Sequence, residues 1–200
     1  MNMRKFFGFA ALFAAGVALS SEVSASERFM NIGSQTSRPI GHVQFCKTYP
    51  EECSGRLSGH IAKLTQAGWD ELIAVNRAVN EQIIPVTDQD LYRTPEVWTL
   101  PVDRGDCEDY ALLKKRILID RGWPESALLI TVVRDTNGEG HAVLTVSTDL
   151  GDFILDNQIA PVLPWNETPY TYLKRQSHHH GRQWVSINDF RPGHNSLAMR

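Results

Sequence analysis

The sequence predicts an α+β domain, with helices in the first half of the chain and an antiparallel sheet in the second. Three observations carry that reading. Apolar residues recur every three or four positions through residues 69–83 and again through 110–118, the spacing of a buried helix face. From residue 127 the pattern changes to short β-branched runs separated by turn residues. The change follows directly on a helix that opens with a cysteine, in Gly105-Asp106-Cys107-Glu108-Asp109-Tyr110-Ala111.

The chain starts with an export signal. Arg4 and Lys5 precede an apolar run from Phe6 to Leu19, and Val23-Ser24-Ala25 is a small-residue cleavage site. The run is too short to span a bilayer comfortably, and no later stretch is long and apolar enough to do so. Residues 1–25 are therefore expected to be a cleaved signal peptide. Residues 26–190 form one domain, large enough for a real core, and 191–200 a flexible tail. The chain has 20 basic and 23 acidic residues; without Arg4, Lys5 and Glu22 these fall to 18 and 22, a net charge of −4. That balance does not suggest a nucleic-acid partner.

Residues 26–41 are polar, with Gly33, Pro39 and Gly41, and read as an irregular lead-in. Cys46 and Cys53 then flank Pro50. In an exported protein two cysteines this close around a proline turn read as a local disulfide. Cys107 is left unpaired, since other pairings would consume it and close much longer loops.

The helix over 69–82 is apolar on one face except for Asn76 and Asn80. These amides either tie down nearby backbone or line a site. Residues 85–101 are turn-rich, and Tyr92, Trp98 and Leu100 look like anchors for that loop; Trp98 is equally readable as the wall of a cleft. In the next helix Asp106 suits the N-cap, and Glu108 and Asp109 suit the first turn, where the helix dipole favours carboxylates. Arg121-Gly122 closes it. Cys107 thus sits among unpaired backbone N–H groups, which stabilise the nucleophilic thiolate. A small buried residue in a capped helix is the plainer reading of the same cysteine.

Strands are expected over 127–133, 141–147 and 152–156, joined by an Asn137-Gly138 turn and a turn at Asp149-Leu150. Symmetric pairing about Asp149 and Leu150 sets Asp156 opposite Val143 and diagonal to His141, on one face and at one end of the hairpin. Residues 170–176 and 183–187 read as further strands. His178-His179-His180 falls in a polar turn without a cysteine or carboxylate spaced to join it, and reads as a solvated loop rather than a metal site. Cysteine, histidine and aspartate in this order are the parts of a nucleophilic acyl-transfer site: a sulfur, a proton carrier and a carboxylate that fixes the imidazole tautomer.

The stretches Gly105-Asp106-Cys107-Glu108-Asp109-Tyr110-Ala111, Gly140-His141-Ala142-Val143 and Leu155-Asp156-Asn157 resemble the bacterial transglutaminase-like cysteine proteinases. The resemblance covers roughly residues 39–187. It implies a papain/transglutaminase-like core, a Cys107–His141–Asp156 triad and export to the periplasm. It also implies calcium beside the nucleophile, held by Asp106, Glu108 and Asp109. The partners implied are a protein or peptide substrate, such as a surface adhesin, and a membrane-bound regulator. The Cys46–Cys53 pair is no part of that pattern and points to a separate branch. The function expected is peptide-bond hydrolysis through a thioester on Cys107. A transglutaminase or other amidase would use the same triad, and a peptide-binding module could keep it without turnover.

Overall fold

The computed structural model describes residues 25–53 and 55–192. The expected signal peptide, Ala25 apart, and nearly all of the expected tail lie outside the described residues. The helical half runs α1 (Ala25–Arg28), β1 (Ile32–Thr36), α2 (Ile40–Thr48), a 3₁₀ turn (Pro50–Glu52), α3 (Gln66–Gln82), β2 (Ile84–Pro85), α4 (Asp88–Tyr92), β3 (Arg104–Gly105) and α5 (Cys107–Asp120). The second half supplies β4 (Leu128–Arg134), β5 (Gly140–Thr148), β6 (Gly151–Leu155), β7 (Leu163–Pro164), β8 (Thr171–Ser177) and β9 (His180–Ile187). Seven strands make one antiparallel sheet in the order β1-β9-β8-β4-β5-β6-β7. The expected α+β class is the one observed.

Alternation along the central strands decides what packs where. Leu128, Ile130, Leu144 and Val146 face the helices and meet Leu72, Val75 and Val79 of α3 and Tyr110 and Leu118 of α5. Val133, Val143 and Ile154 point the other way, onto Met30, Trp165 and Tyr172. Burying side chains of this size stabilises the fold by about 1.5–3 kcal/mol each. The β5–β6 hairpin pairs Leu144 with Leu155 and Thr148 with Gly151, the symmetric register read from its turn.

The lead-in is more ordered than its sequence suggests. β1 pairs with β9 at the sheet edge and is largely exposed, so it carries no apolar alternation. α2 buries Gly41, His42, Phe45 and Cys46, a face in which a glycine and a histidine replace the expected aliphatics. The histidine tract is also different from a solvated loop. β8 and β9 run up to it, and His178 is wedged between Arg175, whose Nη2 donates to its Nε2 at 2.8 Å, and the Ser126 carbonyl, which accepts from its Nδ1 at 2.7 Å.

Cys46 and Cys53 form a disulfide, with Cα atoms 5.5 Å apart, and Cys107 is the free thiol. Alkylation of the unreduced, denatured protein should label Cys107 alone. Replacing both bridge cysteines by alanine should lower stability by about 2 kcal/mol, the small value expected for a short closed loop; a label on Cys46 or Cys53 would contradict the pairing. Beside the bridge, burial and the nearby cations Lys115, Arg38 and Arg182 hold His42 down to about 3. His42 is therefore neutral when folded and takes up a proton on unfolding below about pH 6.5. The His42 contribution to stability should fall with pH from there toward pH 3, by up to about 1.4 kcal/mol per unit. Urea titrations of the parent and His42→Gln at pH 7 and pH 5 would isolate it, as a difference in slope in which the parent loses more, or gains less, on acidification.

Candidate active site

α5 starts where β3 ends. A two-residue parallel ladder pairs Ile84 with Arg104 and Pro85 with Gly105, which draws α4 up to the start of α5. A side chain at Gly105 would meet Asp109 Oδ2 at 2.5 Å, so only glycine lets that carboxylate pack behind the chain. Asp106 occupies the N-cap position, yet its carboxylate does not cap the helix. Asp106 Oδ2 instead accepts from the Asp88 N–H at 3.3 Å.

His141 and Asp156 come from the hairpin of β5 and β6. The carboxylate is surrounded by donors. Asp156 Oδ1 accepts from His141 Nε2 at 2.8 Å and from Gln158 N at 3.1 Å. Its Oδ2 accepts from Ile159 N at 3.2 Å and from the Tyr170 hydroxyl. These bonds outweigh burial and hold Asp156 below the usual carboxylate range. With Nε2–H committed to Asp156, Nδ1 is the nitrogen left to exchange a proton. The loop carrying this carboxylate is pinned from α3: Asn80 Nδ2 donates to Asp156 O at 2.8 Å and Asn76 Nδ2 to Ala160 O at 2.9 Å. Of the two readings of those amides, the structure gives the backbone tie.

Cys107 and His141 line the same cleft, about 260 Å³ in volume, with Thr87, Asp106 and Gln158. The thiol donates to Glu108 Oε2 at 3.2 Å. Burial and the Glu108 carboxylate push it well above its ordinary value, against one backbone N–H from Ala142 that favours the thiolate. The helix start alone therefore does not make Cys107 a thiolate here.

The reason lies in the acids around it. One oxygen from each of Asp88, Asp106 and Glu108 lies within 4.8 Å of the others. Burial first, then the Asp106 charge, push Glu108 up to about 9 and Asp109 up to about 8; burial with Asp106 and Glu96 pushes Asp88 up to about 6. Three buried oxygens, Asp88 Oδ1, Asp106 Oδ1 and Asp109 Oδ2, have no hydrogen-bond partner. Asp106 and Glu108 thus meet, and the third member of the group is Asp88 rather than Asp109. Asp109 sits alongside, its Oδ1 accepting from Thr99 N at 2.8 Å. No local signal in the sequence marks Asp88 or Tyr170 as a site residue: the first lies in a turn-rich stretch, and the second reads as the start of a strand.

A cysteine at a helix start, packed on an antiparallel sheet that presents a histidine–aspartate pair, defines a transglutaminase-like α+β fold. The chain belongs to the bacterial transglutaminase-like cysteine proteinases, whose family profile matches residues 32–192. Among solved structures, Legionella pneumophila LapG is similar at 28% identity and a TM-score of 0.47, over 53% of this chain and 63% of that one. EGTA-treated LapG of the same organism matches at 28% identity and a TM-score of 0.47, over 53% and 61%. Calcium-bound LapG matches at 24% identity and a TM-score of 0.47, over 66% and 81%. The chain thus spans a little under two thirds of the first two LapG chains. No curated protein matches it.

Proposed function

We propose that this protein is an exported cysteine peptidase that cleaves a protein substrate through a thioester on Cys107. The observation that carries the reading is the buried His141–Asp156 pair, bonded at 2.8 Å and opening on the cleft that holds Cys107. In the acylation step Cys107 Sγ attacks the scissile carbonyl carbon while His141 Nδ1 takes the thiol proton. The Cys107 N–H, first in α5 and without a helical acceptor, donates to the oxyanion. Collapse breaks the C–N bond, and the imidazolium returns its proton to the leaving amine. Water then attacks the thioester with His141 as base, releasing the acid and restoring the thiol.

Calcium belongs to the same proposal. The residues present fit it: the candidate ligands are all oxygens, they are crowded, and three buried oxygens lack a partner. Asp88, Asp106 and Glu108 would hold the ion, with Asp109 alongside. A dication there would reverse the negative field that now keeps the Cys107 proton in place. Chelation should therefore lower both melting temperature and activity, with calcium restoring both and magnesium less effective. Unchanged melting and activity in chelator would remove the metal from this reading.

The leader motif supports export to the periplasm, with cleavage near Ala25; a surface adhesin as substrate and a membrane-bound regulator as partner rest on the resemblance of the three sequence motifs alone. Periplasmic and surface proteins incubated with parent and Cys107→Ala protein would test the activity. New N-termini that depend on Cys107 are the expected result. Attachment of an added primary amine without a new N-terminus would identify a transferase, and no change in any protein would leave only a binding module.

A further inference from the structure

The segment over residues 97–99 touches the acidic site on one side and the disulfide loop on the other. The Val97 N–H donates to Asp88 Oδ2, and the Thr99 N–H donates to Asp109 Oδ1 at 2.8 Å. Two carboxylates on separate helices, α4 and α5, are thus fixed by amides two residues apart. Between them, the Trp98 ring lies so close to α2 that a side chain on Gly41 would meet its Cδ1 at 2.1 Å. The same ring stands edge-on to His42 with centroids 5.7 Å apart. Cys46 follows one turn later on α2, and its Sγ lies 3.6 Å from His42 Nε2. Tyr49, inside the loop that Cys46 and Cys53 close, reaches Thr99: the two hydroxyl oxygens are 3.1 Å apart.

We propose that the Cys46–Cys53 loop, Trp98 and Thr99 form a clamp that positions Asp88 for the cation and holds Asp109 beside it, so that the disulfide sets metal affinity. The inference rests on the calcium reading above. Carboxylates that repel one another splay apart unless something outside the shell holds them, and an amide that donates to one oxygen leaves the other without that bond. Asp88 Oδ1 and Asp109 Oδ2 are buried oxygens left without a partner; Asp88 belongs to the group of three carboxylates, and Asp109 packs beside it against Gly105. Amides on a loose loop would hold them poorly. Here the loop is keyed at Trp98 by a ring against a helix backbone and at Thr99 by a hydroxyl from a covalently closed turn. Tyr49, Trp98 and Thr99 are positioning residues: none of them lines the Cys107 cleft.

The test is calorimetric titration of calcium into the calcium-free mature protein, with the melting temperature in chelator measured beside it. Trp98→Ala and the double variant Cys46→Ala/Cys53→Ala should weaken calcium binding by about 10-fold or more, the usual cost of losing an outer-shell support. Trp98→Phe should recover most of the affinity, since it restores a ring against Gly41. Tyr49→Phe removes one hydroxyl and should weaken binding by about 2- to 10-fold. Thr99→Val should do the same, and the pair together no more than either alone. Should the cysteine variant fail to fold, Tyr49→Phe and Thr99→Val decide the matter. Calcium binding at parental affinity in both would overturn the clamp and leave the calcium reading standing. A parent protein that takes up no calcium would overturn both.

Discussion

Cys107→Ala should show no turnover above background while keeping the melting temperature of the parent. The substitution removes only sulfur. Alanine suits the start of a helix, and the bonds lost are the thiol's own to Glu108 and the one the sulfur accepts from the Ala142 N–H. Removing a proton donor from a crowd of carboxylates and replacing it by a methyl group leaves the fold's main contacts, at Leu72, Tyr110 and Leu144, untouched. Activity measured as substrate cleavage, with circular dichroism and thermal melting alongside, separates chemistry from folding. Full activity in this variant would end the peptidase mechanism, whatever the family.

Asp156→Asn should cost about four orders of magnitude in kcat, the pattern seen when a triad aspartate is replaced and the imidazole takes the wrong tautomer. The structure adds a second cost. Four donors converge on the carboxylate: His141 Nε2, Gln158 N, Ile159 N and the Tyr170 hydroxyl. An asparagine places its own NH₂ against one pair of them. The imidazole or the hydroxyl in that pair can turn to accept, but the backbone N–H beside it cannot, so one donor–donor contact is buried and stability should also fall, by about 1–3 kcal/mol. NMR of the His141 ring nitrogens would read the tautomer directly, and kcat on folded protein would read the consequence. A variant within a few-fold of the parent would show that Asp156 plays no part in the proton transfer.

The strands and the order of the site residues were legible because they rest on local signals. β-branched runs bounded by Asn137-Gly138 and Asp149-Leu150 leave few alternatives for β4, β5 and β6, and the turn between β5 and β6 fixes its own register. β1 was not legible, because an edge strand exposed on both faces needs no apolar code. α2 hides its face behind Gly41 and His42. The third carboxylate was missed for a different reason. Asp88 is drawn up to Asp106 by the two-residue ladder of β2 and β3, and a contact between residues eighteen apart, across a largely irregular stretch, has no period to detect. Lys114 and Lys115 make the same point from the other side. By type they belong to a solvated face, yet both are buried, Lys114 against the Tyr110 ring and Lys115 bonded to Gln176.

The base and its carboxylate share one hairpin, whereas the nucleophile stands on a separate helix. Histidine and aspartate therefore move as one rigid piece, locked by backbone ladder and by Tyr170. The sulfur's distance from that piece is a tertiary coordinate, set by how far α5 slides or rolls on β4 and β5. The contacts that govern it are Ala111, Leu118, Leu128 and Leu144, none of which lines the cleft. Changes of a single methylene in that seam act as a tuning screw on the rate, with the reacting groups themselves unaltered. Two relatives with identical triads can thus differ in speed through their cores alone.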